Sequence, residues 1–168
     1  MKVRPSRRIL GPLVFSVAAF AALPALAQVQ VNGAWVRATV TDQSDTGAYM
    51  VISADQDVTL TGASSPVSDH AMIHEMKMHG DMMMMMPVER LQIVAGHSLS
   101  LDERNYHVML EGVKRRLQAG EKVPLTLRFV DAKGKALQVE VQAEVRPLDA
   151  HDGHDAHAGH MHDSMDSK

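Results

Sequence analysis

The sequence predicts an all-β, antiparallel sandwich or barrel followed by a histidine-rich tail. Short β-prone runs recur at regular spacing, two long stretches late in the body alternate apolar and polar residues, and nothing shows a long helical period. The β-prone runs cover residues 29–31, 34–40, 47–53, 58–61, 71–78, 91–94, 106–110, 123–130 and 136–145. In the last two, Val123, Leu125, Leu127 and Phe129, then Leu137, Val139 and Val141, fall at every second position, as a strand with one buried face requires. Between them Asp131-Ala132-Lys133-Gly134-Lys135 reads as a hairpin turn, with Gly134 supplying a positive φ. Residues 112–120 have room for a helical turn and no more. A chain of 168 residues suits one domain with short extensions, and 45% hydrophobic with 22% charged residues is ordinary globular composition.

Residues 1–27 read as an export signal. Lys2, Arg4, Arg7 and Arg8 make a basic start, residues 9–23 are apolar, and Ala25-Leu26-Ala27 is a small–x–small cleavage site that leaves Gln28 first. The alternative is an uncleaved anchor, but the apolar run is short for a membrane span. One arginine pair is weak evidence for the twin-arginine route, so the general secretory route and a periplasmic location are expected, with no membrane span after cleavage. The body is then residues 28–148 and the tail residues 149–168. Four of the 17 basic residues and none of the 20 acidic ones precede Gln28, so the remaining chain carries a net charge of −7 with histidine neutral. Nothing resembles a basic patch, which argues against nucleic acid as a partner.

Composition raises a metal question. There is no cysteine, which excludes disulfides, thiolate zinc sites, iron–sulfur clusters and cysteine nucleophiles, while 13 methionines and 10 histidines remain as soft and borderline donors. Two clusters stand out. The first is His74-Glu75-Met76-Lys77-Met78-His79-Gly80-Asp81 followed by methionine from 82 to 86 and Pro87; the second is Tyr106-His107-Val108-Met109. On strands, His107 and Met109 share a face about 7 Å apart, as do His74, Met76 and Met78; Met83 and Met85 share one face of the run, and Met82, Met84 and Met86 the other. A lone His-x-Met pair is more often core packing. Five consecutive methionines are harder to explain so, since alternate ones must leave the core, where thioethers oxidise. Thioether and imidazole together suit Cu(I). His70, His79 and His97 read as surface or turn residues, with His79 the one closest to the methionine run, and Trp35 and Arg37 as structural.

The tail, HDGHDAHAGHMHDSMDSK, places His151, His154, His157, His160 and His162 among Met161 and Met165. It has too little to bury to fold alone, so it is predicted to be disordered: a solubilising end, or a loose site for Cu(II), Zn(II) or Ni(II).

The spacing from His74 through ten residues to Met85, then 21 residues to His107-x-Met109, resembles the periplasmic copper chaperone family PCuAC, whose pattern is H-x10-M-x21-H-x-M. Ala34-Trp35-Val36-Arg37, Gly47-Ala48-Tyr49, Pro87-Val88-Glu89 and the stretch 112–129 also resemble family segments. The resemblance covers about residues 29–145. It implies a cupredoxin-like β-sandwich that binds Cu(I) at an exposed edge through His74, Met85, His107 and Met109. It also implies delivery to the CuA-carrying subunit of cytochrome c oxidase, alongside a Sco-type thioredoxin-like chaperone, and a tail adding a Cu(II) site. Met86 departs from the family, which more often has a basic residue there; with Met82 and Met84 it offers alternative thioethers. A monomeric, non-catalytic carrier is expected, with any copper reduction supplied by a partner or small thiol, because the chain has no Cys-x-x-Cys. Rival readings are a storage or resistance protein holding several ions and, least favoured, a copper enzyme.

Overall fold

A computed structural model describes residues 28–149. The expected export signal, residues 1–27, and the tail histidines His151, His154, His157, His160 and His162 lie outside the described residues. Ten strands form: β1 (Val29–Arg37), β2 (Thr46–Ala54), β3 (Val58–Ser64), β4 (His70–His79), β5 (Met82–Pro87), β6 (Leu91–Ile93), β7 (Ser98–Leu101), β8 (Tyr106–Glu111), β9 (Lys122–Asp131) and β10 (Ala136–Arg146). They make one sheet in the order β5-β4-β8-β7-β2-β1-β10-β9-β3-β6. The sheet rolls on itself so that β3 packs onto β4 and β2 onto β6 across a single core.

The period-two stretches behave as predicted. Val123, Leu125, Leu127 and Phe129 of β9 point inward beside Ala143 and Val145 of β10. The hairpin joining them closes when Asp131 N donates to Lys135 O (2.9 Å) and Gly134 N to Asp131 O (3.0 Å), with Gly134 at φ 81°. Burying this apolar face is the main stabilising term.

Two features correct the sequence reading. The sheet is mixed: β1 runs parallel to β10, pairing Trp35 with Glu144, and β7 meets β8 in parallel at Leu101 and Tyr106. The first arises because the last strand returns beside the first and closes the roll. The second arises because β7 and β8 lie end to end along β2, opposite residues 50–53 and 46–48. Residues 112–120 form bends and a turn with no helical turn. Leu117 is drawn into the core there, its N–H donating to Thr39 Oγ1 (2.9 Å) while Thr39 N donates to its carbonyl (3.1 Å).

Candidate metal centre

Three strands at one end of the sheet bring the sequence-predicted donors together. β4 pairs antiparallel with β8, setting His74 opposite His107 and Met72 opposite Met109. β5 pairs with β4, setting Met85 opposite Met76 and Met83 opposite Met78. Directly opposed residues share a face, so His74, Met85, His107 and Met109 all project from the same side of this three-strand edge. The neighbouring pair Ile73 and Val108 points the other way, into the core. Alternation in β4 and β8 thus sends apolar side chains inward and donors outward from a single register.

The donors are graded in depth. His107 is only 5% exposed, His74 and Met109 are half-buried, and Met85 is exposed. His74 Nδ1 lies 3.3 Å from Met85 Sδ, and the two imidazoles meet edge to face with centroids 5.8 Å apart. Nδ1 of His107 is buried without a hydrogen-bond partner. Burial first, and then the nearby His74 ring, push the His107 imidazole below the ordinary histidine range, against a smaller upward pull from Asp102. A neutral imidazole has a lone pair to give a cation.

A row of rings supports His107 from the other side. Tyr49 lies 6.2 Å from it between centroids, and Trp35, opposite Tyr49 in the β1–β2 ladder, packs tilted by 35° against that ring with centroids 4.4 Å apart. The Arg146 guanidinium sits 5.0 Å from the Trp35 centroid and Arg37 5.9 Å from that of Tyr49. Gly47 makes room for this row, because a Cβ there would come within 2.6 Å of Tyr49 Cζ. Arg37 also pairs with Glu103, tying β1 to the β7–β8 connection. Asp102 fixes that connection by accepting the N–H groups of Arg104 (2.8 Å) and Asn105 (2.9 Å), and Met76 N donates to Asn105 O (2.7 Å). The sequence carried no sign that Tyr49 flanks His107, since period two sets a residue's face but not its neighbour across a ladder.

Met82, Met84 and Met86 lie on the opposite face of the β4–β5 ribbon, across from His79, Lys77 and Glu75. They therefore point away from His74, and of the other methionines in the run only Met83 shares its face. His70 pairs with Glu111 at the far end of β4, and His97 Nδ1 contacts Ala95 O (3.1 Å) in a turn. Among the described residues, no group of three or more His, Cys, Asp or Glu is placed to hold a metal ion, so a centre here depends on thioethers.

Fold and donors together define a β-sandwich with a soft, mixed His/Met cluster at its sheet edge. The family model "Putative lipoprotein LpqE-like" matches residues 29–143, and a protein of Leifsonia xyli subsp. xyli (strain CTCB07), "Putative lipoprotein Lxx21020", is 31% identical over 129 residues, 71% of this chain and 78% of that protein. The chain belongs to this LpqE-like family, which is the PCuAC family of the resemblance above. Among solved structures, the Cu(I) form of DR1885 from Deinococcus radiodurans is 36% identical with a TM-score of 0.52, covering 77% of this chain and 83% of that one. Its apo form is 33% identical with a TM-score of 0.51, covering 87% and 95%. The copper-bound PCuAC domain of PmoF2, 19% identical with a TM-score of 0.56 over 71% and 92%, shares the fold.

Proposed function

We propose that this protein is an exported copper chaperone that holds one Cu(I) through His74, Met85, His107 and Met109 and passes it on by ligand exchange. The observation that carries the reading is the convergence of these four donors on one face of the β5–β4–β8 edge. The DR1885 relative binds Cu(I) at 36% identity, and the donor chemistry agrees. Leaving the buried His107 nitrogen unbonded costs about 1–3 kcal/mol, a penalty that a bond to a soft cation removes. The depth gradient suits a carrier: His107 and Met109 grip from inside while Met85 stands where an acceptor's donor can replace it.

The acceptor proposed is the CuA-carrying subunit of cytochrome c oxidase, directly or through a Sco-type chaperone. The tail histidines are proposed to hold Cu(II). Export is read from residues 1–27 and agrees with the lipoprotein names of the family model and of the Leifsonia relative. The exposure of all five methionines of β5 favours a second reading, storage of several ions.

Anaerobic Cu(I) titration against a chromophoric competitor tests both readings. One tight equivalent, lost in His107→Ala plus Met109→Ala, supports the carrier. Several tight equivalents that survive the double substitution support storage.

A further inference from the structure

The four-donor site accounts for one face of the β4–β5 ribbon and leaves the other unexplained. On that other face, β5 presents Met82, Met84 and Met86, which are 67%, 46% and 48% exposed and pack into no core. Edge strands are ordinarily protected by charges, especially lysine; this one carries a ladder of uncharged soft donors that water and oxidants reach freely. Packing therefore gives no reason for them.

Register supplies one. His79 lies directly opposite Met82 beside the two-residue turn Gly80-Asp81, where Gly80 takes φ 62°. The pair spans about 5 Å between Cβ atoms, and Met84 follows Met82 on the same face about 7 Å further along. One imidazole and two thioethers thus share one face near the ribbon tip, His79 opposite Met82 and Lys77 opposite Met84, with Asp81 in the adjoining turn. Lys77 shares this face, but its ammonium leans to Glu75 (2.9 Å), which also accepts from Tyr106 Oη (3.1 Å). That polar cluster draws the positive charge toward the base of the ribbon, opposite Met86, and leaves the tip clear.

We infer that His79, Met82 and Met84 form a second site for a soft monovalent cation, Cu(I) or Ag(I), back to back with the four-donor centre. The site has three donors, all solvent-exposed, and so holds its ion more weakly and exchanges it faster than the four-donor centre with its buried His107. It rests on the copper reading above only for the identity of its natural ion.

The test is a titration of the full chain, labelled with ¹³C at the methionine methyls, with Ag(I) to saturation, following each methyl and the His79 ring by NMR. The expected result is two events: the Met85 and Met109 methyls move first, then those of Met82 and Met84 together with the His79 ring. In Met82→Leu plus Met84→Leu the first event persists, which also reports an intact fold, and the His79 shift is lost. Unmoved Met82 and Met84 methyls at saturation in the wild-type chain would overturn the second site and leave this face as an apolar surface for a protein partner. Unmoved Met85 and Met109 methyls would overturn the four-donor reading separately.

Discussion

His74 and Met85 touch through Nδ1 and Sδ at 3.3 Å although eleven positions separate them, because the β4–β5 hairpin folds the methionine run back along the histidine strand. Its register is what sets Met85, and not its neighbour, on the face of His74. Met85→Leu is expected to weaken Cu(I) binding about tenfold or more, or about 1.4 kcal/mol. Met86→Leu should leave it within about twofold, because Met86 faces the other way, opposite Glu75. Paired competitor titrations check this, and equal losses would mean that the register is wrong.

Acid should destabilise the fold through His107. Burial and His74 hold its pKa below the ordinary value of about 6.5, so just below that pH the unfolded chain binds a proton that the native chain refuses. Stability is therefore full above the unfolded value and falls as pH drops through it toward the lowered native value. Urea midpoints measured with chelator present should fall between pH 7.5 and 5.5, and less steeply in His107→Gln. Asp102→Asn removes the one upward influence and should lower the His107 pKa further, read from its ring protons by NMR.

The ring row predicts a cost at a position that touches no ligand. In Gly47→Ala the new Cβ collides with the Tyr49 ring, which Trp35 holds from behind. Overpacking of this kind costs about 1–3 kcal/mol, measurable as a lower urea midpoint. Because the displaced ring flanks His107, Cu(I) affinity should drop as well. A double-substitution cycle with Tyr49→Ala should recover much of the loss.

Removing the chain beyond Leu148 should abolish Cu(II) binding and leave the Cu(I) equivalent in place. Isothermal titration with each ion checks this, and an unchanged Cu(II) stoichiometry would remove the tail from the mechanism.

Much of this architecture was legible where side-chain period and turn chemistry agree, as in β9, β10 and the Gly134 turn. Ser98–Leu101 carries no strand signal of its own, because Leu99 and Leu101 alone give too short an alternation, and its place is set by pairing with residues 50–53 of β2. A run of identical methionines has no pattern at all, so which side of β5 meets the histidines emerges only from pairing with β4. The facing of His74 and His107 is likewise a long-range property: each strand announces which side its donors occupy, and the ladder alone decides that they meet. The parallel neighbour of β1 was invisible for the same reason, since Trp35 and Glu144 stand at opposite ends of the body.

The outermost position of β5 has a mechanical consequence. Its six residues are all exposed, and the order of strands leaves it bonded along one edge only. Peeling it from β4 breaks a few ladder hydrogen bonds and uncovers none of the interior, so it belongs to the least costly class of local openings. Such an opening would carry Met85 away while His74, His107 and Met109 stay anchored in the inner strands. On the carrier reading proposed above, release then needs one detachable flap and no melting, and amide exchange should find β5 the fastest of the strands around the site.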